Sequence, residues 1–384
     1  MMIVLALGRF GPPTSRVLTH VRRAGLMTRE ELARRTGLSA STVARTVAVL
    51  TDAELLRERP DLLVERPVGR PSIPLEIDTR HHVTVGCHVG RRTTTVSLGD
   101  LRGRVILRST LATPDADSAE LASMVNARLT SLLAQVPDRT VLGAGLVAPW
   151  GDIDFDEDEL AQRLTDALGL PVKSGELIPA IAAAEYLARD QDLPGSTLYL
   201  YARDTVGFVM ANQRPHGMEI ARVGRLSHYP YGGITQCRCG RSGCLENVVS
   251  DEAVAASAMA SGIVRLPDID LVHQAATRGN DAAHRLLCAR AEALGRVAAI
   301  VRDMVHPDRV VLCGQGLTSY PPALDVTRES FGRSTATRDP IDISFTRFVG
   351  DVQAVASGTV ALRQVYDDPS AVIEDAQLAR CSTS

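Results

Sequence analysis

Aromatic residues are scarce: six phenylalanines, seven tyrosines and the single Trp150 make up 4% of the 384 residues. With 45% hydrophobic residues and so few rings, aliphatic side chains must fill the cores. Lysine is rarer still. Lys173 is the only one among 42 basic residues, which reads as the codon bias of a GC-rich genome rather than as function. No apolar run approaches the roughly 20 residues needed to cross a bilayer, so no membrane partner is expected. The apolar opening Met1–Gly8 is brief, lacks a basic start and runs into Arg9-Phe-Gly-Pro-Pro, which argues against a secretory signal. Cys87, Cys288, Cys313 and Cys381 are scattered singly, the usage of a reducing cytoplasm rather than of a disulfide framework. The chain is too long for one ordinary domain and fits two or three.

The other three cysteines fall within one short loop, His228-Tyr-Pro-Tyr-Gly-Gly-Ile-Thr-Gln-Cys237-Arg-Cys239-Gly240-Arg-Ser-Gly243-Cys244-Leu245-Glu246. Zn²⁺ takes four soft or borderline ligands in a tetrahedron. His228, Cys237, Cys239 and Cys244 supply such a set, with glycines where the backbone must fold back.

Formal net charge is −3, yet residues 1–70 hold 12 arginines against seven carboxylates. A basic front on an acidic body suggests an anionic partner at that end. Three helical patterns follow one another there. Val17, Leu18 and Val21 stripe the first, which Gly25 ends. Thr28 and Glu31 form a capping box for the second. Thr36-Gly37-Leu38-Ser39 is a short turn, and Ser39 caps a third helix whose Val43, Val47 and Leu50 face inward. Two helices joined in this way predict a helix-turn-helix, with Ser41, Thr42 and Arg45 projecting toward base edges and phosphates. Thr28 and Ser39, at the helix starts, complete the candidate DNA contacts. Two β-prone runs between Leu55 and Leu75 read as a wing; Arg70 at its tip reaches phosphate or minor groove, or is a solvated linker residue.

Cys-x-Cys-Gly-x-x-Gly-Cys-Leu-Glu after an upstream histidine resembles the zinc loop of the ROK family of repressors and sugar kinases. Gly69-Arg70-Pro71 before a leucine-containing strand is similar to the wing end of its repressors. From Val83 three strand patterns, a helix from Ser118 and a strand from Val141 follow, and a second strand cluster opens at Thr197. This double pattern resembles the two-lobed, actin-like (ribonuclease-H-like) ROK body. The resemblance implies an α/β fold in four parts: a winged helix-turn-helix at 1–78, a first lobe at 79–190, a second lobe with the zinc loop at 191–352, and a tail at 369–384. A carboxy-terminal helix, 353–368, returns to the first lobe.

The kinase chemistry of that family is missing from the matching positions. Its Asp-x-Gly-Gly-Thr turn corresponds to His88-Val89-Gly90-Arg91-Arg92, and its second glycine turn to Arg203-Asp204-Thr205-Val206-Gly207. Bulky and acidic residues there deny phosphate a close backbone approach. Where the kinases place the carboxylate that deprotonates the sugar, only Glu176 stands nearby, at a helix start. Gly224-Arg225-Leu226-Ser227-His228 replaces the sugar-binding Gly-Glu-x-Gly-His; Glu246, a sugar ligand in the family, is here either that or a helix-start acid. Arg225 exchanges a hydroxyl acceptor for an anion clamp, so any effector near Arg225, His228 and Glu246 is anionic, unless ligand binding is lost. Gly143-Ala-Gly145 matches a family turn expected to shape the cleft. The expectation is a cytoplasmic, non-enzymatic transcriptional regulator that binds a palindromic operator as a homodimer or homotetramer. A residual sugar kinase and an effector-independent DNA-binding dimer are the alternatives.

Overall fold

The computed structural model describes residues 3–5, 11–62, 72–115, 117–188, 194–214, 217–337 and 339–374. Near the amino terminus three helices form for local reasons. In α1 (Pro13–Ala24) a proline occupies the first turn, where no intrahelical donor is needed, and Gly25 (φ 79°) ends the helix, its N–H on Val21 O. In α2 (Arg29–Thr36) Thr28 Oγ1 accepts the Glu31 N–H while the Glu31 carboxylate accepts the Thr28 N–H, and left-handed Gly37 terminates. In α3 (Ala40–Asp52) Ser39 Oγ accepts the Thr42 N–H at 3.1 Å. The strands Leu56–Glu58 and Leu75–Ile77 pair antiparallel, Leu56 opposite Ile77, and Met27 exchanges two hydrogen bonds with Leu75. This is the base of a wing. Arg70 and the rest of its tip lie outside the described residues.

Val17, Leu18 and Val21 of α1, Leu32 of α2, and Val43, Val47 and Leu50 of α3 are buried with Leu56, Leu75 and Ile77 of the wing. The same apolar cluster continues into Leu101, Leu142, Leu362, Val365 and Tyr366. Polar contacts seal the seam. The Arg22 guanidinium stacks 5.4 Å over the Tyr366 ring, Arg102 Nη2 donates to Gly25 O at 2.9 Å, and Tyr366 Oη donates to Leu101 O at 2.7 Å. His82 Nε2 lies 2.9 Å from Ala53 O. Residues near position 78 therefore mark a change of secondary structure but not a break in the core.

The chain divides into two compact units, one of residues 4–192, 215–217 and 353–384, the other of 1–3, 193–214 and 218–352. The first contains the three helices, the wing and a five-stranded sheet in the order Val105–Ala112, Thr93–Gly99, His82–Val89, Thr140–Ala148, Val172–Glu176. His82–Val89 is antiparallel to Thr93–Gly99 and parallel to Thr140–Ala148. The second unit's sheet holds, in order, Gly217–Arg225, Val206–Arg214, Ser196–Ala202, Arg309–Cys313 and Asp342–Phe345. These five strands and those of the first sheet both have the chain order 3-2-1-4-5, with a hairpin pair first and a parallel pair last. This is the repeated motif that the strand spacing predicts.

One expectation is corrected. Gly143 and Gly145 do not form a turn. Both lie within the strand Thr140–Ala148, beneath the helix Val352–Asp367. A Cβ on Gly145 would stand 2.3 Å from Ser357 O and 2.6 Å from Ala361 N, so glycine is required for helix and sheet to approach. Gly145→Ala is expected to lower unfolding free energy by about 2–3 kcal/mol, since the nearest obstacle is backbone; denaturant titration checks it, and an unchanged midpoint would refute the close-packing account.

Candidate metal centre and nucleic-acid interface

The cysteine loop is held in shape by its own backbone. Gln236 bridges Ser242 and Pro230 bridges Cys244 in antiparallel pairs, and the Cys237 N–H bonds Arg241 O at 2.7 Å. Gly240 and Gly243 take φ of 83° and 71° at the two reversals. At Gly243 a Cβ would fall 2.8 Å from Gly233 O, so both conformation and space demand glycine there. The result brings one ligand atom each of His228, Cys237, Cys239 and Cys244 within 4.8 Å of one another.

The spacing tests the metal. Zinc–sulfur bonds of about 2.3 Å in a tetrahedron put sulfurs about 3.8 Å apart, with slightly shorter sulfur–nitrogen edges. Cys239 Sγ is 3.6 Å from Cys244 Sγ, and Cys237 Sγ is 3.5 Å from His228 Nδ1. The four residues fit a tetrahedral ion, and no disulfide competes among the described cysteines. Hydrogen bonds from the Arg241 backbone and guanidinium hold the Cys239 thiol down at about 6, whereas burial pushes Cys237 up to about 12.

Glu246 opens a four-residue helix and is buried, its Oε1 3.3 Å from His228 Nδ1 and 2.8 Å from Cys237 Sγ. It therefore touches the cysteine–histidine cluster directly, a contact that the sequence reading did not anticipate. Arg225 is exposed at the end of the strand Gly217–Arg225. Also missed was a buried ion network. Asp251 accepts from Arg290 at 2.7 Å and Arg203 at 3.3 Å; burial opposes its charge, but the two arginines hold its carboxyl below the usual range. Its members lie 39 and 48 residues apart, and no local pattern announces them.

At the other candidate site, Ser39, Ser41 and Arg45 are exposed at the start of α3 and Thr42 is half-buried. Thr28 differs. It is buried, and its hydroxyl is engaged with Glu31, so its role there is to start α2. The basic charge is also less available than a residue count suggests. Arg29 pairs with Glu58 at 2.5 Å, Arg57 with Glu76, and Arg59 with both Glu76 and Asp61.

The ROK family model matches residues 84–360 and a MarR family model matches residues 10–66. The chain is 35% identical over 390 aligned residues to Transcriptional regulator Rv0485 of Mycobacterium tuberculosis, covering 92% of this chain and 85% of that protein. Its fold is similar to a ROK family transcriptional regulator, a homolog of the E. coli MLC protein (TM-score 0.70, 19% identity, 94% and 98% of the two chains). It is also similar to a Streptomyces griseus ROK glucokinase in complex with glucose and AMPPNP (TM-score 0.61, 19% identity, 73% and 99%). The chain belongs to the ROK family, with a winged helix-turn-helix ahead of the ROK body. Among the described residues no helix is long and apolar enough to cross a membrane.

Thr28→Ala removes the reciprocal cap of α2 and is expected to cost about 1 kcal/mol of stability. Calorimetric unfolding reads it; a variant as stable as the parent would show that the capping box contributes nothing.

Proposed function

We propose that this chain is a sequence-specific DNA-binding transcriptional repressor with a structural zinc site and no kinase activity. Its parts are a DNA-binding region at 1–78, body lobes at 79–190 and 191–352 with the helix 353–368 returning to the first, and a tail at 369–384. The observation that carries this reading is α3: a capped helix with an exposed polar opening turn, following α2 across a glycine turn, on a MarR-matching segment. Ser39, Ser41, Thr42 and Arg45 contact DNA, and Arg70 contacts the backbone beside it. A homodimer or homotetramer pairs two such helices to match a two-fold operator in the cytoplasm.

The former phosphate turns support the absence of kinase chemistry. The Gly90 N–H is spent on Thr93 O at 3.0 Å, while Thr113 Oγ1 donates to Gly90 O and its N–H to Arg92 O. In the other turn the Arg203 N–H bonds Thr205 O at 3.1 Å and the Val206 N–H bonds Ser227 Oγ at 3.0 Å. Backbone donors committed to neighbours cannot cradle an anion. Glu176, at the N-cap of the helix Leu177–Leu187, makes no capping bond there. A residual sugar kinase is the competing reading, favoured only by the shared fold.

Zn²⁺ held by His228, Cys237, Cys239 and Cys244 pins the loop and contributes folding energy directly. Arg225, three residues before His228 and on the same unit as Glu246, suits an anionic effector such as a sugar phosphate or sugar acid.

Capture and sequencing of DNA bound in the cell tests the main reading; discrete sites with two-fold symmetry are expected, and ATP-dependent phosphorylation of a hexose at an appreciable rate would overturn it. Metal analysis of purified protein should find one zinc per chain. Cys239→Ser should lose it and unfold at lower temperature, whereas a metal-free, fully stable wild type would remove zinc from the account. Calorimetry should show sugar phosphates binding in preference to neutral hexoses; tight neutral-sugar binding abolished by Arg225→Ala would reject the anionic effector.

A further inference from the structure

The exposed positions of α3 are Ala40, Ser41, Ala44, Arg45, Ala48, Val49 and Asp52, recurring every three to four residues along one face. Val43, Thr46, Val47 and Leu50 make the buried face. The outward set is poor in groups that can form hydrogen bonds. Ser41 Oγ lies 3.0 Å from Ser39 Oγ, which is 2.8 Å from Thr42 Oγ1, so the three hydroxyls of the first turn engage one another. Asp52 ends the helix, a full turn beyond Ala48, and as an anion is repelled by phosphate. That leaves Arg45, which is exposed and has no ion-pair partner among the described residues.

Resting on the DNA-binding reading above, we infer that Arg45 is the one hydrogen-bonding base reader of α3 and selects a single guanine in each half-site, while Ala44, Ala48 and Val49 select thymines beside it. Arginine is the side chain that meets guanine O6 and N7 with two parallel donors, and small apolar groups meet the thymine methyl. Alanines on both sides of Arg45 also let the helix backbone lie close to the base edges. Arg29, Arg57 and Arg59 are paired with acids, whereas Arg34 and Arg35 are exposed on the last turn of α2 and have no such partner among the described residues. They supply phosphate contacts, which set affinity and register but carry no sequence. The recognised DNA is thus a two-fold site with one fixed G·C pair per half, flanked by T·A pairs.

Selection from random duplexes with the full-length, zinc-loaded protein tests this, run in parallel with Arg45→Ala and Arg45→Lys at one salt concentration. The parent should enrich half-sites with one invariant G·C pair among thymine-rich positions. Arg45→Ala should lose preference at that pair alone and bind the parental site on the order of ten- to a hundredfold more weakly. Arg45→Lys keeps the charge but not the two-pronged geometry, and should likewise lose the guanine preference. Half-sites with two or more fixed G·C pairs, or variants that keep the parental motif and weaken uniformly on all sequences, would overturn the assignment, the latter marking Arg45 as a phosphate contact. A parent that enriches no sequence overturns the DNA-binding reading itself, and this inference with it.

Discussion

Everything at the amino-terminal end depends on one apolar core that does not stop where the helix-turn-helix stops. Three short helices and a wing of three-residue strands bury too little surface to be robust alone. Here Val17, Val21 and Leu50 share a cluster with Leu142, Leu362, Val365 and Tyr366, so the missing apolar contacts come from the sheet and from the last long helix. Arg22 closes the rim by stacking on Tyr366, and Tyr366 spends its hydroxyl on Leu101 O. Helix α3 is accordingly carried by the same packed unit as the strand His82–Val89 and the helix Val352–Asp367. Within that unit a displacement of the carboxy-terminal helix is felt at α1 directly, because packed interiors transmit strain.

What was legible in the sequence was local. Capping boxes, glycine stops and the cysteine loop are decided by residues within a few positions of each other: Thr28 with Glu31, Ser39 with Thr42, Cys239 with Gly240. The duplicated sheet was legible too, because strand spacing survives even where side-chain identities drift. Gly143 and Gly145 were misread because their reason lies more than 200 residues away, in a helix that crosses directly above them. The ion pairing within the basic front was hidden for the same reason. Arg57 and Arg59 look like free cations until the chain returns and places Glu76 opposite Arg57 in the wing ladder. The buried Asp251 with its two arginines is likewise non-local, whereas Glu246 lies only nine residues from Cys237 and its contact depends on how the loop folds.

The turns at Gly90 and at Thr205 illustrate how local bonding can differ within a shared fold. Substituting bulky residues for glycine is only half of the change; the freed backbone groups also need partners, since unpaired amides are costly wherever water is excluded. Thr93 O and Ser227 Oγ accept from the Gly90 and Val206 amides, while Thr113 donates to the Gly90 and Arg92 carbonyls. A fold can keep its sheets while the local bonding of its turns changes, so the shared architecture does not by itself carry the activity.

The cysteine–histidine loop and α3 belong to different units. Cys237, Cys239 and Cys244 are placed by backbone reversals at Gly240 and Gly243, and at Gly243 there is no room for a Cβ. The Glu246 carboxylate contacts both His228 and Cys237 and so is tied to the cysteine–histidine cluster. A carboxylate held in that way is less free to accept hydroxyls from a neutral sugar. Arg225, on the same unit, adds a cation rather than a hydroxyl acceptor.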